Sequence, residues 1–197
     1  MKNAGLLIFL IPLAAFSQCG RCDSIKYTVS SAVFETDSGT MRFTFFENEA
    51  PVHVKNFKDL VSSGYYNGKI FHRVIPDFVI QAGRDSTADK ATIPAEIKKM
   101  HFKGSLAAAR LGDNFNPEKR SDKYEFYVSI KELPHLDGKY TVFGRTVEGF
   151  ETVKKIVSAP RDSTDNPLEE IKIKKAYLEK YFDTEKYEFY KNKKEKE

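Results

Sequence analysis

Residues 71–85 read FHRVIPDFVIQAGRD, and no other stretch restricts the fold of this chain as tightly. Two short apolar runs, Phe71/Val74/Ile75 and Phe78/Val79/Ile80, flank a Pro76-Asp77 break. Runs of that length around a turn signal predict two strands joined by a tight turn. Arg73 lies inside the first run, where alternation would otherwise bury it, and Gln81 lies in the second. On opposite arms of one hairpin they reach a common face beside an aromatic ring. A fixed cation and an amide above an apolar floor suit a neutral ligand, part apolar and part carbonyl. They suit phosphate or a metal ion less well.

The remainder of the chain sets bounds on what can surround that hairpin. Its 197 residues, 41% of them hydrophobic, can bury one good core and leave little for a second domain. Tryptophan is absent, but 16 Phe and 10 Tyr supply aromatic core material. The net charge of +4 arises from 32 basic and 28 acidic residues with the signs mixed along the chain, so nucleic acid is not an expected partner. His53, His72, His101 and His135 lack metal-motif spacing, so neither a metal nor any other cofactor is expected.

At the N-terminus, Lys2 precedes an apolar run from residue 4 to residue 16, and Ala15-Phe16-Ser17 offers small residues at the positions a signal peptidase reads. A run this short falls below the roughly 20 residues of a membrane span. Residues 1–17 therefore read as a cleaved secretory signal with Gln18 as the mature N-terminus, and the competing reading is an uncleaved anchor. The mature chain is expected to carry no membrane span. Cys19 and Cys22, in C-G-R-C, lie in a linker over residues 18–25, where a small local disulfide is expected and lipid attachment at Cys19 is the alternative.

Along the body, residues 26–36 and 41–46 predict a hairpin about the turn Asp37-Ser38-Gly39. Pro51 opens a helix with Val52, Phe57, Leu60 and Val61 on its apolar stripe and Gly64 at its end. Residues 84–105 read mainly as loop. Short strands are expected over 106–109, 125–130, 140–145 and 169–178, with a second amphipathic helix over 149–157. Several short strands with two helices predict a mainly β protein, a closed or nearly closed antiparallel barrel capped at its ends. After Ala176 no apolar stripe is evident, and a solvated helix or a disordered tail is expected there.

FHRVIPDFVIQAG resembles the cyclophilin family pattern FHR-x-I-P-G-F-x-x-Q-G-G. HLDGKYTVFGRTVEGFETVKKI, from His135, is similar to the family's L-D-G-K-x-x-x-F-G-x-V segment and the helix after it, and GSLAAAR, from Gly104, is similar to its G-x-L-x-M-A-x strand. The resemblance covers roughly residues 26–178 and is closest to the bacterial exported type. It implies a closed eight-stranded antiparallel barrel with two capping helices over residues 26–182, followed by a charged tail over 183–197. It also implies peptidyl-prolyl cis-trans isomerase activity on proline-containing unfolded or extended polypeptides, by a monomer exported to the periplasm or beyond.

By motif position, the resemblance makes Arg73 the donor to the prolyl nitrogen, with Gln81 orienting it or the substrate carbonyl. It implies that Phe78, Val79, Tyr127 and Leu136 line the proline pocket, although plain core packing would also account for Phe78 and Leu136. Ala109 and Arg110 would offer backbone groups to the peptide, and His72 and Tyr140 would edge the site.

Several positions depart from the family pattern. Tyr124-Glu125-Phe126-Tyr127 aligns with S-Q-F-F, so Glu125 replaces a glutamine, where it could pair with Arg73 or turn away into a structural ion pair. Val79 replaces the frequent Met, Arg110 an Asn, His135 the Trp that favours cyclosporin, Asp77 a turn glycine and Ala82 the first glycine of G-G. Two functions compete: a prolyl isomerase assisting the folding of exported proteins, and a proline-peptide binding module or holdase with little turnover. Glu125 is the residue that speaks for the second.

Overall fold

A computed structural model describes residues 27–184 together with Glu188 and Asn192. The expected signal segment 1–17, Cys19, Cys22 and almost all of the tail after residue 184 lie outside the described residues. The chain divides into a large compact unit, Val29–Tyr181, and a second unit made of Met1–Thr28 with Phe182–Glu197. The second unit is described only near its junctions, where the Asp183 N–H donates to the Tyr27 carbonyl at 2.9 Å.

The described residues form ten strands and two α-helices: β1 (Thr28–Thr36), β2 (Gly39–Phe45), α1 (Pro51–Ser62), β3 (Phe71–Ile75), β4 (Val79–Ala82), β5 (Thr92–Ile93), β6 (Ser105–Ala108), β7 (Ser121–Asp122), β8 (Phe126–Ser129), β9 (Val142–Glu148), α2 (Phe150–Val157) and β10 (Ile173–Phe182). Eight strands form one curled sheet in the order β10-β1-β2-β9-β6-β8-β4-β3, and β5 pairs with β7 separately. The mainly β cyclophilin-like expectation stands, but the sheet is an open row rather than a closed barrel. No ladder joins β10 to β3. The row's ends approach through an Ile70–Lys172 bridge, backbone bonds such as Phe71 N–H to the Ile171 carbonyl, 3.0 Å, and the Ala176 N–H donating to Asn67 Oδ1 at 2.8 Å.

Tight aromatic packing fills the interior. Phe34 meets Phe43 and Phe126 edge to face at 5.4 and 5.6 Å, and α1 delivers Phe57 to Phe126 at 5.4 Å. Edge-to-face geometry sets the positive ring edge against the negative face. On α1 the buried stripe is His53, Val54, Phe57, Leu60 and Val61, whereas Val52 is exposed and does not belong to it. The helix ends in a Schellman turn: Gly64, at φ 75°, sends its N–H to the Val61 carbonyl, and Tyr65 sends its own to Leu60.

Strands β4, β6, β8 and β9 are apolar on both faces. Ile80, Leu106, Phe126, Val128 and Phe143 point into the main core. Their neighbours Val79, Ala107, Tyr127 and Val142 form a smaller cluster on the other face with Ala109 and Leu133. Because successive residues of a strand point to opposite faces, that second face is where a site can open without breaching the core. The expected polar tail after Ala176 proves instead to be strand, since β10 continues to Phe182.

Candidate active site

One line of cross-strand partners crosses the second face. Arg73 on β3 is opposite Gln81 on β4, Gln81 is opposite Tyr127 on β8, Tyr127 is opposite Ala107 on β6, and Ala107 is opposite Val142 on β9. A β-bulge brings Arg73 into this line. Phe71 pairs with Ala82 and Arg73 with Gln81, which leaves His72 as the extra residue. The bulge reverses the alternation, so Phe71 and Val74 both enter the core while Arg73 faces outward, its side chain 41% exposed.

Nine of the expected residues enclose a cavity of about 130 Å³: Arg73, Phe78, Val79, Gln81, Ala109, Arg110, Tyr127, Leu136 and Tyr140. This is well below the several hundred Å³ of a pocket for a drug-sized ligand, and it suits a single small side chain. His135 extends the wall outward, its ring stacked on Phe78 at 5.7 Å. A wider hollow continues from the cavity past Arg110, Leu136 and Tyr140 towards Phe115 and Lys139.

His72 and Glu125 are not part of the cavity lining. As the bulge residue, His72 turns inward, and its Nε2 lies 3.4 Å from the Glu125 carboxylate. Glu125 does not touch Arg73. It accepts from Gln81 Nε2 at 2.6 Å and from Arg84 Nε at 3.1 Å, the structural ion pair of the two readings. Burial opposes its charge, but His72 and Arg84 outweigh burial and hold its pKa at about 2. The carboxylate beside Arg73 is Asp165, 3.8 Å from Nε, presented by a loop that accepts the Val74 N–H on the Asp165 carbonyl. An ion pair of that length between partly exposed groups contributes about 0–1 kcal/mol, so the guanidinium remains available to a ligand.

The backbone role expected at Ala109 is narrowed by bonds already made within the sheet. The Ala109 N–H is engaged by the Glu125 carbonyl at 3.0 Å, and the Ala109 carbonyl already accepts from Asp122 at 2.7 Å. Only a second lone pair on that carbonyl is left for a peptide. The Arg110 side chain lies 4.7 Å over the Tyr140 ring and donates to the Lys139 and Leu111 carbonyls at 2.7 and 2.8 Å. Gly83 closes β4 at φ 95°, and a Cβ there would stand 2.3 Å from the Tyr124 carbonyl oxygen, so the second glycine of the motif is required by contact.

The family profile for cyclophilin-type peptidyl-prolyl cis-trans isomerases matches residues 31–178, which include every strand of the cavity. The chain belongs to the cyclophilin family. It is 35% identical over 158 residues to the peptidyl-prolyl cis-trans isomerase ppi1 of Schizosaccharomyces pombe, a match covering 75% of this chain and 98% of that one. It is 32% identical over 161 residues to peptidyl-prolyl cis-trans isomerase-like 1 of Neurospora crassa, covering 77% and 95%. A crystal structure of a Cryptosporidium parvum cyclophilin in the presence of the dipeptide Ala-Pro superposes with a TM-score of 0.69 at 28% identity, covering 76% of this chain and 98% of that one. These relatives are eukaryotic, so a bacterial exported subtype is not visible in them. This cyclophilin is a peptidyl-prolyl cis-trans isomerase by family, fold and relatives alike.

Sequence reasoning passed over two residues at the site. Asp165 stands in a polar loop with no motif around it. His101 lacks any local signal because its partners Tyr127 and Asp137 lie 26 and 36 residues away in sequence. Each histidine of the cyclophilin has its own surroundings: His53 meets Glu96 at 2.7 Å, His72 faces Glu125, His101 joins Tyr127 and Asp137, and His135 stacks on Phe78.

Proposed function

We propose that this cyclophilin turns Xaa-Pro bonds in unfolded or extended segments of exported proteins, with the prolyl ring seated in the cavity and Arg73 aimed at the prolyl nitrogen. An Xaa-Pro bond prefers trans only slightly, yet rotation crosses about 20 kcal/mol because resonance gives the C–N bond double-bond character. At the top of that barrier the nitrogen is pyramidal and its lone pair is localised. A guanidinium donating to that lone pair binds the twisted amide better than the planar one, which is catalysis by differential binding. Arginine suits the task because it is always charged and its fork is rigid. The observation that carries the reading is the register line, which puts a partly exposed Arg73 beside Gln81 and above a residue-sized cavity that Phe78, Val79 and Leu136 help to wall. The Cryptosporidium relative, crystallised with Ala-Pro, is consistent with a proline-sized guest.

The remaining parts of the proposal are that Gln81 orients the guanidinium or the substrate carbonyl, that residues flanking proline run along the hollow past Arg110 and Tyr140, and that the chain works as a monomer outside the cytoplasm. Export rests on residues 1–17, and a chain beginning at Gln18 by mass spectrometry of the secreted form is the expected result. No described helix is long and apolar enough to cross a membrane. A peptide isomerisation assay on the full chain tests the chemistry, with Arg73→Ala expected to lower kcat/KM by about 10²–10³, the cost of one aimed donor. If wild type and Arg73→Ala are equally slow while both bind a proline peptide, the binding-module reading replaces the enzyme.

A further inference from the structure

The Tyr127 ring forms one wall of the cavity, and the residue is only 4% exposed. The family motif S-Q-F-F has phenylalanine at this position, so the hydroxyl is a departure of this chain and must be satisfied in a buried place. Its partner is His101 Nε2 at 2.7 Å, and the His101 side chain is fully buried without lining the cavity. On the other side of the imidazole, Nδ1 lies 2.8 Å from Asp137 Oδ1, which also accepts the His101 backbone N–H at 2.7 Å.

The direction of every proton in this chain follows from Asp137. A carboxylate only accepts, so Nδ1 carries the hydrogen, Nε2 presents its lone pair, and Tyr127 must donate. Burial holds His101 below its ordinary pKa against the opposing pull of Asp137, which keeps the ring neutral and Nε2 an acceptor. Burial likewise keeps the Tyr127 phenol protonated.

We propose that His101, oriented by Asp137, is a positioning residue of the proline pocket: it draws the Tyr127 hydroxyl away from the cavity and fixes the ring as an apolar wall. The inference rests on reading the cavity as the proline site. Its consequence is specificity. With the hydroxyl committed to His101, the Tyr127 wall offers no hydrogen bond to a guest, and the polar groups of the lining are confined to Arg73, Gln81, Arg110 and Tyr140. On the Tyr127 side the pocket therefore favours an unsubstituted prolyl ring over a 4-hydroxyprolyl one.

A double-mutant cycle on the full chain tests this, with isomerisation of matched Pro and 4-hydroxyproline peptides as the readout. His101→Ala is expected to raise KM for the Pro peptide by about tenfold, as a buried donor is left without a partner, while kcat changes by less than about twofold. It should also narrow the discrimination against hydroxyproline. In a Tyr127→Phe background, where there is no hydroxyl to satisfy, the same substitution should raise KM by less than about twofold. Equal penalties in the two backgrounds, or a loss in kcat with KM unchanged, would overturn the assignment. A ¹⁵N spectrum of the wild-type imidazole needs no variant to fold: a proton on Nδ1 is expected, and a proton on Nε2 overturns it. A wild-type chain that neither turns over nor binds a proline peptide overturns the proline-site reading as well, whereas the other adverse outcomes touch His101 alone.

Discussion

The amide of Gln81 cannot choose which way it faces, because Glu125 chooses for it. An ionised carboxylate never donates, so the 2.6 Å contact comes from Nε2, and Oε1 is left to face away from Glu125 as an acceptor. A glutamine at position 125 would accept through its own carbonyl and keep the contact, without forcing the direction. Since Glu125 does not touch Arg73, Glu125→Gln is expected to change kcat/KM by less than about threefold, the scale of losing one partly exposed charge contact. A tenfold rise in the isomerisation assay would instead make Glu125 a competitor for Arg73. The same carboxylate makes a pH prediction. Its folded pKa of about 2 lies below the ordinary 4.5, so the stability it confers is fully present above pH 4.5 and is lost as the pH falls towards 2. The stability gap between wild type and Glu125→Gln, from denaturant midpoints, should therefore close over that interval. A gap that widens on acidification contradicts the assignment.

The β3–β4 hairpin shows at element scale what local pattern conveys and what it omits. Two apolar runs around Pro76-Asp77 are enough to place both strands and the turn, since alternation and turn chemistry are local. The bulge at His72 is not local: it exists because Phe71 and Val74 both have core positions to fill, and only the folded sheet supplies them. Hence Arg73 was legible as an anomaly, while the inward turn of His72 was not. The turn keeps a trace of strain. Asp77 sits at φ 56°, where the family pattern has glycine and where an L-residue costs about 1–2 kcal/mol, less for Asp than for most. Asp77→Gly is therefore expected to stabilise the chain by roughly 0.5–1 kcal/mol, after the extra entropy of glycine in the unfolded state is set against the relief. Chemical denaturation measures it, and a loss of stability would show that the Asp77 side chain contributes a contact of its own.

For the molecule as a whole, the last strand was the hardest part to read, and the reason is physical. Beyond Ala176, Leu178 still packs against the main core, but Glu179 and Lys180 interrupt both faces of β10, so neither the period of two nor an apolar stripe marks it. Its place comes instead from pairing at the end of the sheet and from one arginine. Arg42 on β2 donates to Glu148 at the end of β9 and to Glu179 on β10, each at 2.8 Å, and to the Ser31 hydroxyl on β1 at 3.0 Å. One guanidinium thus ties four strands together at the end of the row remote from Arg73. A single exposed ion pair would contribute little, but this side chain is only 18% exposed and serves three partners at once. Arg42→Met keeps the packing of the stem and removes the fork, and it is expected to cost about 1–2 kcal/mol, with Glu179→Gln costing less than half of that. Because the cavity face spans β3 to β9 and Arg42's partners Glu148, Ser31 and Glu179 do not line the cavity, kcat/KM at 25 °C should stay at the wild-type value while the thermal midpoint falls. If activity falls in step with stability, the β10 edge and the cavity are coupled through the sheet.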